Sequence, residues 1–201
     1  MRAAAEHITH IGLELGGKSP CVVFADADLE AAIRQTSSGS FFNAGQVCSA
    51  ATRVIVEDSI HDAFVEGLAK RAKTLRLGNP LDSATTMGPV ISQRQMERIL
   101  GYIDAGRKEG AQAVCGGHRV GNAGYFIEPT VFAGVGETMK IAQEEIFGPV
   151  VSVMRFSDEE EALKLANGTA YSLAAAVWTR NIDRGHRMSQ KLDAGTVWVN
   201  T

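Results

Sequence analysis

The sequence predicts an α/β fold built on a largely parallel, open twisted sheet flanked by helices. Three observations carry this expectation. Short runs rich in β-branched residues, CVVF at 21–24, RVIVE at 53–57, VVSVMRF at 150–156 and TVWV at 196–199, have the length and bounding residues of strands. Amphipathic helical stretches separate them, and strands that alternate with helices favour crossover connections and parallel pairing. The chain has 201 residues, 45% hydrophobic and 21% charged, enough for a sizeable core in one domain or one domain plus a fragment.

The elements follow in order. Arg2 to Ile8 reads as the tail of an alanine-rich helix, and Ile11 to Leu13 is short and apolar before Gly16 and Gly17 break the pattern. Cys21 to Phe24 is a buried strand bounded by Pro20 and Asp26. Asp28 caps a helix over Leu29 to Ser40, and Arg53 to Glu57 alternates like a strand. Ser59 to Leu75 is helical, with Ile60, Phe64 and Leu68 on one face. Glycines and prolines from Gly78 to Pro89 mark a long loop. Ser92 to Glu109 is the next helix, with Ile99, Tyr102 and Ile103 on a face. Ala111 to Cys115 is a short strand, and Tyr125 to Phe132 is extended but interrupted by Pro129. Val150 to Phe156 is a strand, Asp158 caps an acidic helix over Glu159 to Ala166, and Leu173 to Trp178 is a strand. Asp183 to Lys191 is helical, and Thr196 to Val199 closes the chain as a strand. Neither end carries its own start or stop signal, so the chain reads as one domain of a longer protein or as a truncated reading frame.

Bulk chemistry narrows the function. Twenty basic against 23 acidic residues give a net charge of −3, which points to neither nucleic acid nor a membrane surface as partner. No apolar run approaches the roughly 18–20 residues of a membrane span, and no secretory leader opens the chain. Three cysteines are too few for a disulfide framework, which places the protein in the reducing cytoplasm. The five histidines share no metal-binding spacing, so no metal site is expected. No glycine-rich dinucleotide or phosphate loop is present.

Three stretches carry chemistry. In FFNAGQVCSA (41–50), Cys48 follows a turn and is followed by small residues, which leaves room around the sulfur. It is either a nucleophile, with its own N–H aimed at an oxyanion, or a packed core thiol. Cys21 and Cys115 lie in strand runs and read as buried and inert. In LELGGKSP (13–20), Glu14 lies between leucines, where a raised pKa would suit a general base. The alternative is a glutamate paired with Lys18. In EEIFGPV (144–150), a carboxylate could hold a hydroxyl pair of a ligand while Phe147 packs on a ring. The alternative is an acidic loop before a core strand.

Together with GTVWVN (195–200), these stretches resemble the NAD(P)-dependent aldehyde dehydrogenase superfamily, and their order and spacing match as well. The resemblance implies that Cys48 is the catalytic thiol and Glu14 the general base. It implies that Glu145 holds the nicotinamide ribose with Phe147 beside the nicotinamide. Asn200 falls near the active site, and Gly45 and Gln46 shape the loop before the thiol. The implied reaction takes an aldehyde to a carboxylic acid through a thiohemiacetal and a thioester on Cys48, with NAD or NADP as hydride acceptor. Residues 1–14 correspond to the end of a nucleotide-binding domain and 15–201 to the catalytic domain. Weak cofactor binding and self-association through exposed interdomain or oligomer surfaces are therefore expected. The general pattern is closest to broad-specificity or betaine-aldehyde-type members. Two other functions stay open: a cofactor-free thiol esterase, and a non-catalytic fragment that associates with a partner chain.

Overall fold

A computed structural model describes all 201 residues. In chain order the elements are α1 (Arg2–Ala5), β1 (Pro20–Val23), α2 (Leu29–Phe41), β2 (Arg53–Glu57), α3 (Asp58–Thr74), α4 (Gln93–Lys108), β3 (Gln112–Cys115), β4 (Arg119–Val120), β5 (Phe126–Ile127), β6 (Thr130–Ala133), α5 (Lys140–Gln143), β7 (Val150–Phe156), α6 (Glu159–Asn167), β8 (Ala174–Trp178), α7 (Ile182–Lys191) and β9 (Thr196–Val199). Seven strands form one sheet in the order β3-β6-β7-β2-β1-β8-β9, and β4 pairs with β5 as a separate ribbon. Every pairing in the large sheet is parallel except β3 with β6. The α/β, largely parallel expectation therefore holds.

The central strands are apolar on both faces because helices cover both, as parallel sheets require. Alternation assigns the faces. Cys21 and its register partner Val54 lie on the side of α2, where the Cys21 thiol meets the Thr36 hydroxyl at 3.7 Å. Arg53, Ser152 and Phe132 share a register on the opposite side, against α4, α5 and α6. Burial pushes the Cys21 thiol up to about 11. That agrees with an inert core thiol.

Arg53 is 1% exposed and staples this second layer. Its guanidinium donates to the carbonyls of Leu165 and Ala166 near the end of α6, and its Nε donates to the Lys18 carbonyl at 3.4 Å. The last turn of a helix has orphan carbonyls, and here a buried cation supplies their donors. Side-chain caps start four helices: Asp28 for α2, Ser92 for α4, Asp158 for α6 and Asn181 for α7.

Several boundaries differ from the sequence reading. The expected helix over residues 2–8 is one turn long, with none of its residues buried, and Ile8 turns into the left-handed region at φ 52°. One isolated turn cannot offset its nucleation cost without a packing face. Pro129 splits the extended stretch into β5 and β6 because it has no N–H to continue a ladder. The strands β4 and the short helix α5 carry too few residues to show a period. No helix is long and apolar enough to cross a membrane.

Replacing Arg53 with alanine leaves the Ala166 and Lys18 carbonyls without its donors, takes one of two donors from the Leu165 carbonyl, and opens a cavity behind β2. The expected loss is about 3 kcal/mol or more in urea-unfolding stability, and a loss below 1 kcal/mol would show that the staple is dispensable.

Candidate active site

The three motif loops feed three adjacent parallel strands. Residues 12–19 lead into β1, 46–52 into β2 and 144–149 into β7, and the sheet order β7-β2-β1 sets them side by side at the amino-terminal edge. The segment that follows Glu14 and the loops that hold Cys48 and Glu145, which are 97 residues apart in sequence, thus meet at one edge.

Backbone contacts join the loops pairwise. The Gly17 N–H donates to Glu145 Oε1 at 3.1 Å. Gly17 also lies against the Cys48 carbonyl, so closely that a β-carbon there would overlap it. Gly45 packs on the Gly148 carbonyl in the same way and has φ +71°. At both positions only glycine fits, and at Gly45 the backbone conformation also demands it.

Cys48 is exposed, while Cys21 and Cys115 are buried. The turn before it is left-handed for three residues, Asn43 (φ 50°), Ala44 (φ 54°) and Gly45 (φ 71°). Strain of this kind in a non-glycine residue costs about 1–2 kcal/mol and persists only where neighbours over-determine it. Here they do. Asn43 Nδ2 donates to the Gln46 carbonyl at 3.1 Å, and Gln46 Nε2 donates back to the Asn43 carbonyl at 3.0 Å. Gln46 Oε1 accepts the Ile91 N–H at 2.9 Å, which ties the turn to the loop before α4. Gln46 and Gly45 therefore shape the loop that presents the thiol.

A second brace comes from α4. Gln95 Nε2 donates to the carbonyls of Ile146 (3.1 Å) and Phe147 (2.8 Å), and Arg98 donates to the Glu145 carbonyl at 2.9 Å. The Tyr102 hydroxyl donates to Glu144 Oε2 at 2.7 Å. This helix face holds Phe147 in the left-handed region at φ 57°, with its ring partly exposed. The two adjacent carboxylates thus point apart, Glu144 to α4 and Glu145 to Gly17. Burial and the Glu144 hydrogen bond push Tyr102 up to about 12, so its hydroxyl stays a donor.

Glu14 lies three residues before Gly17, so its Cα is within about 11 Å of the Gly17 Cα by chain reach. It is exposed, as are Leu13 and Leu15, and it forms no ion pair with Lys18. The apolar shelter expected from the flanking leucines is not formed, because those leucines face outward. Lys18 is instead buried, with no hydrogen-bond partner for Nζ.

Asn200 reaches this region only through a cleft that its neighbours share. It follows β9, at the carboxyl-terminal edge of the sheet, opposite the thiol loops. Its amide accepts the Thr179 N–H at 3.0 Å and donates to the Thr179 carbonyl at 2.8 Å, so it clasps β9 to the end of β8. A cleft of about 440 Å³ connects the two ends along the α2 face. Val47 and Ser49, the neighbours of the thiol, line one end, and Trp198 and Thr201 the other.

No G-x-G-x-x-G turn was legible, and α4 as the brace was missed. Gln95, Arg98 and Tyr102 fall on one helix face at i, i+3 and i+7, yet nothing in their spacing names the loop they hold.

An α/β sheet with an exposed thiol and a half-buried carboxylate converging at its amino-terminal edge defines a class of thiol-bearing proteins. The comparisons specify which. The model of the aldehyde dehydrogenase family matches residues 1–201. Cytosolic aldehyde dehydrogenase 1 of Rattus norvegicus is 52% identical over 198 residues, covering 98% of this chain and 40% of the relative. Betaine aldehyde dehydrogenase of Mesorhizobium japonicum is 50% identical over 201 residues, covering 98% and 41%. The structure of a Bacillus cereus aldehyde dehydrogenase in complex with NAD+ superposes with a TM-score of 0.95 at 49% identity, covering 99% of this chain and 40% of that one. The chain belongs to the aldehyde dehydrogenase family, and it spans about two fifths of the length of these relatives.

Two stability predictions follow from the loop contacts. Gly45→Ala forces a β-carbon into the Gly148 carbonyl from a left-handed backbone, and we expect a loss of about 3 kcal/mol or more in urea unfolding; a loss under 1 kcal/mol would show that the two loops separate freely. The second concerns Lys18, whose pKa burial and Arg53 bring down to about 7 from 10.5, against the pull of Glu145 and Glu144. Between those values the unfolded chain holds a proton that the folded chain has lost. Unfolding then takes up a proton, and stability rises with pH across that window by at most about 1.4 kcal/mol per unit. Lys18→Met removes this rise, so the wild-type-minus-variant difference in unfolding free energy, followed from pH 7 to pH 10, should climb; a flat difference contradicts it.

Proposed function

We propose that this chain carries the catalytic half of an NAD(P)-dependent aldehyde dehydrogenase that oxidises an aldehyde to a carboxylic acid. One observation supports it above the others. The loops bearing Cys48, Glu14 and Glu145 converge at one sheet edge with only Cys48, of the three thiols, exposed.

In this reading each residue takes the role that the family resemblance implies. The Cys48 thiolate adds to the aldehyde carbon, and its own N–H stabilises the resulting oxyanion. Loss of hydride from that carbon leaves a thioester on Cys48. Glu14 takes a proton from water, the water attacks the thioester carbon, and the carboxylic acid departs as the thiolate returns. NAD or NADP, when bound, supplies the hydride acceptor. The residues fit one end of such a cofactor: Glu145 Oε1 is occupied by Gly17, while Oε2 accepts no hydrogen bond within the chain and is available to a ribose hydroxyl. Phe147 offers a partly exposed ring beside it. The relative from Bacillus cereus was solved with NAD+.

Residues 1–14 then belong to a nucleotide-binding domain and 15–201 to the catalytic domain. The long exposed stretch up to Leu15 agrees with a segment that packs on something else, and exposed Ile8, Ile11, Leu13 and Leu15 offer an apolar surface for self-association. In this reading NAD binding by residues 1–201 should be weaker than micromolar by calorimetry.

The test is acylation by p-nitrophenyl acetate, followed by mass spectrometry. Cys48 should acylate at least about tenfold faster than Cys21 or Cys115, and Glu14→Gln should slow release of the acyl group by about a hundredfold. An acyl group found on neither Cys48 nor its variant-sensitive pathway, or Cys48 reacting as slowly as the buried thiols, would overturn the assignment.

A further inference from the structure

Helix α4 and the residues just before it hold two loops that enter different strands. On one side, Gln46 Oε1 accepts the Ile91 N–H at 2.9 Å, so the turn before Cys48 rests on the segment that starts α4. That segment is itself fixed. The Val90 N–H donates to the Tyr125 carbonyl at 3.0 Å, and the Ser92 hydroxyl caps the helix by accepting the Gln95 N–H at 3.2 Å. On the other side, Gln95 Nε2 donates to the carbonyls of Ile146 and Phe147. No other group in the chain donates to either carbonyl.

The two loops also touch directly, because Gly45 packs on the Gly148 carbonyl. Ile99, one turn beyond Gln95 on α4, packs against Gly148 as well. The contacts thus close a ring. It runs from Gln46 through the start of α4 to Gln95, on to Phe147 and Gly148, and back to Gly45. Two parts of the ring are held in left-handed conformations, Asn43 and Ala44 on the thiol side and Phe147 on the other. Such residues relax when the contacts that over-determine them are lost. Members of one hydrogen-bond network act on a common state, so two breaks in it do not add.

We propose that Gln95 is a positioning residue for Cys48, although it forms no hydrogen bond to the thiol turn. It fixes the 146–147 carbonyls against the same helix start that holds Gln46. It thereby keeps the turn on its left-handed path and sets the direction of the Cys48 N–H relative to the sulfur. That this direction serves acyl transfer rests on the proposed role of Cys48, whereas the linkage between Gln95 and the turn does not.

The test is a double-mutant cycle on Gln46 and Gln95 with methionine, which keeps the side-chain length and removes the amide. Acylation of Cys48 by p-nitrophenyl acetate, which develops an oxyanion, is compared with alkylation by iodoacetamide, which develops none. Each single variant should slow acylation by about tenfold, and the double variant by no more than about threefold beyond the slower single one. Alkylation should change by less than about threefold, and Gln95→Lys, which keeps a donor at similar reach, should recover most of the acylation rate. An unchanged acylation rate in Gln95→Met, an additive loss of about a hundredfold in the double variant, or equal slowing of both reactions would overturn the proposal. The linkage is also read without acyl chemistry, in the ¹⁵N-labelled chain. Gln95→Met should move the Gln46 side-chain amide resonance, and Gln46→Met should move that of Gln95, because coupling is reciprocal. If wild-type Cys48 does not acylate, the proposed function fails and these resonances alone decide the linkage: movement in both directions supports it, and a resonance that stays in place overturns it. If Gln95→Met does not fold, the Gln46→Met arm decides it in the same way.

Discussion

The site depends on one crowded contact: Gly17 lies between the Glu145 carboxylate and the Cys48 carbonyl. Three loops meet there through two backbones and one carboxylate, and no side chain at position 17 could be admitted. The parallel sheet makes the meeting possible, because adjacent strands β7, β2 and β1 bring their entry loops to the same edge. Open α/β sheets more often place ligands beyond the carboxyl ends of their strands. Here the thiol stands at the other edge, and the carboxyl edge is closed by the Asn200–Thr179 clasp and by the Asp26–Arg184 ion pair.

Around that contact the fold supplies two layers of support. The left-handed turn at residues 43–45 is stapled by Gln46 and Asn43, and the 145–147 segment is held by α4. Behind both, Arg53 and Lys18 put two cationic side chains into the interior, where charge is expensive. Arg53 satisfies helix-end carbonyls. Lys18 is buried beside it without a hydrogen-bond partner for its ammonium.

Much of this was legible in the residues themselves. The strands CVVF, RVIVE and VVSVMRF declare themselves by composition, and the caps Asp28 and Asp158 by their position before apolar helices. Cys48 stood out by its turn and small neighbours. What stayed hidden depends on tertiary placement. Nothing local shows that Lys18 would be swallowed while Glu14, four residues away, stays in solvent. Asn200 ends β9, and its clasp on the Thr179 backbone is a contact that its sequence neighbours do not announce. The one-turn helix at the start has the propensity for more turns but no surface to bury.

The long separation between the thiol and its partner has a consequence for biosynthesis. Cys48 leaves the ribosome 97 residues before Glu145, an interval of about 5–20 s at ordinary elongation rates. Until β7 is made, the nascent loop has neither its carboxylate anchor nor the Gly148 carbonyl against which Gly45 rests. The newborn sulfur therefore spends that interval unsupported, and oxidants or stray electrophiles in the cell meet it before the fold does.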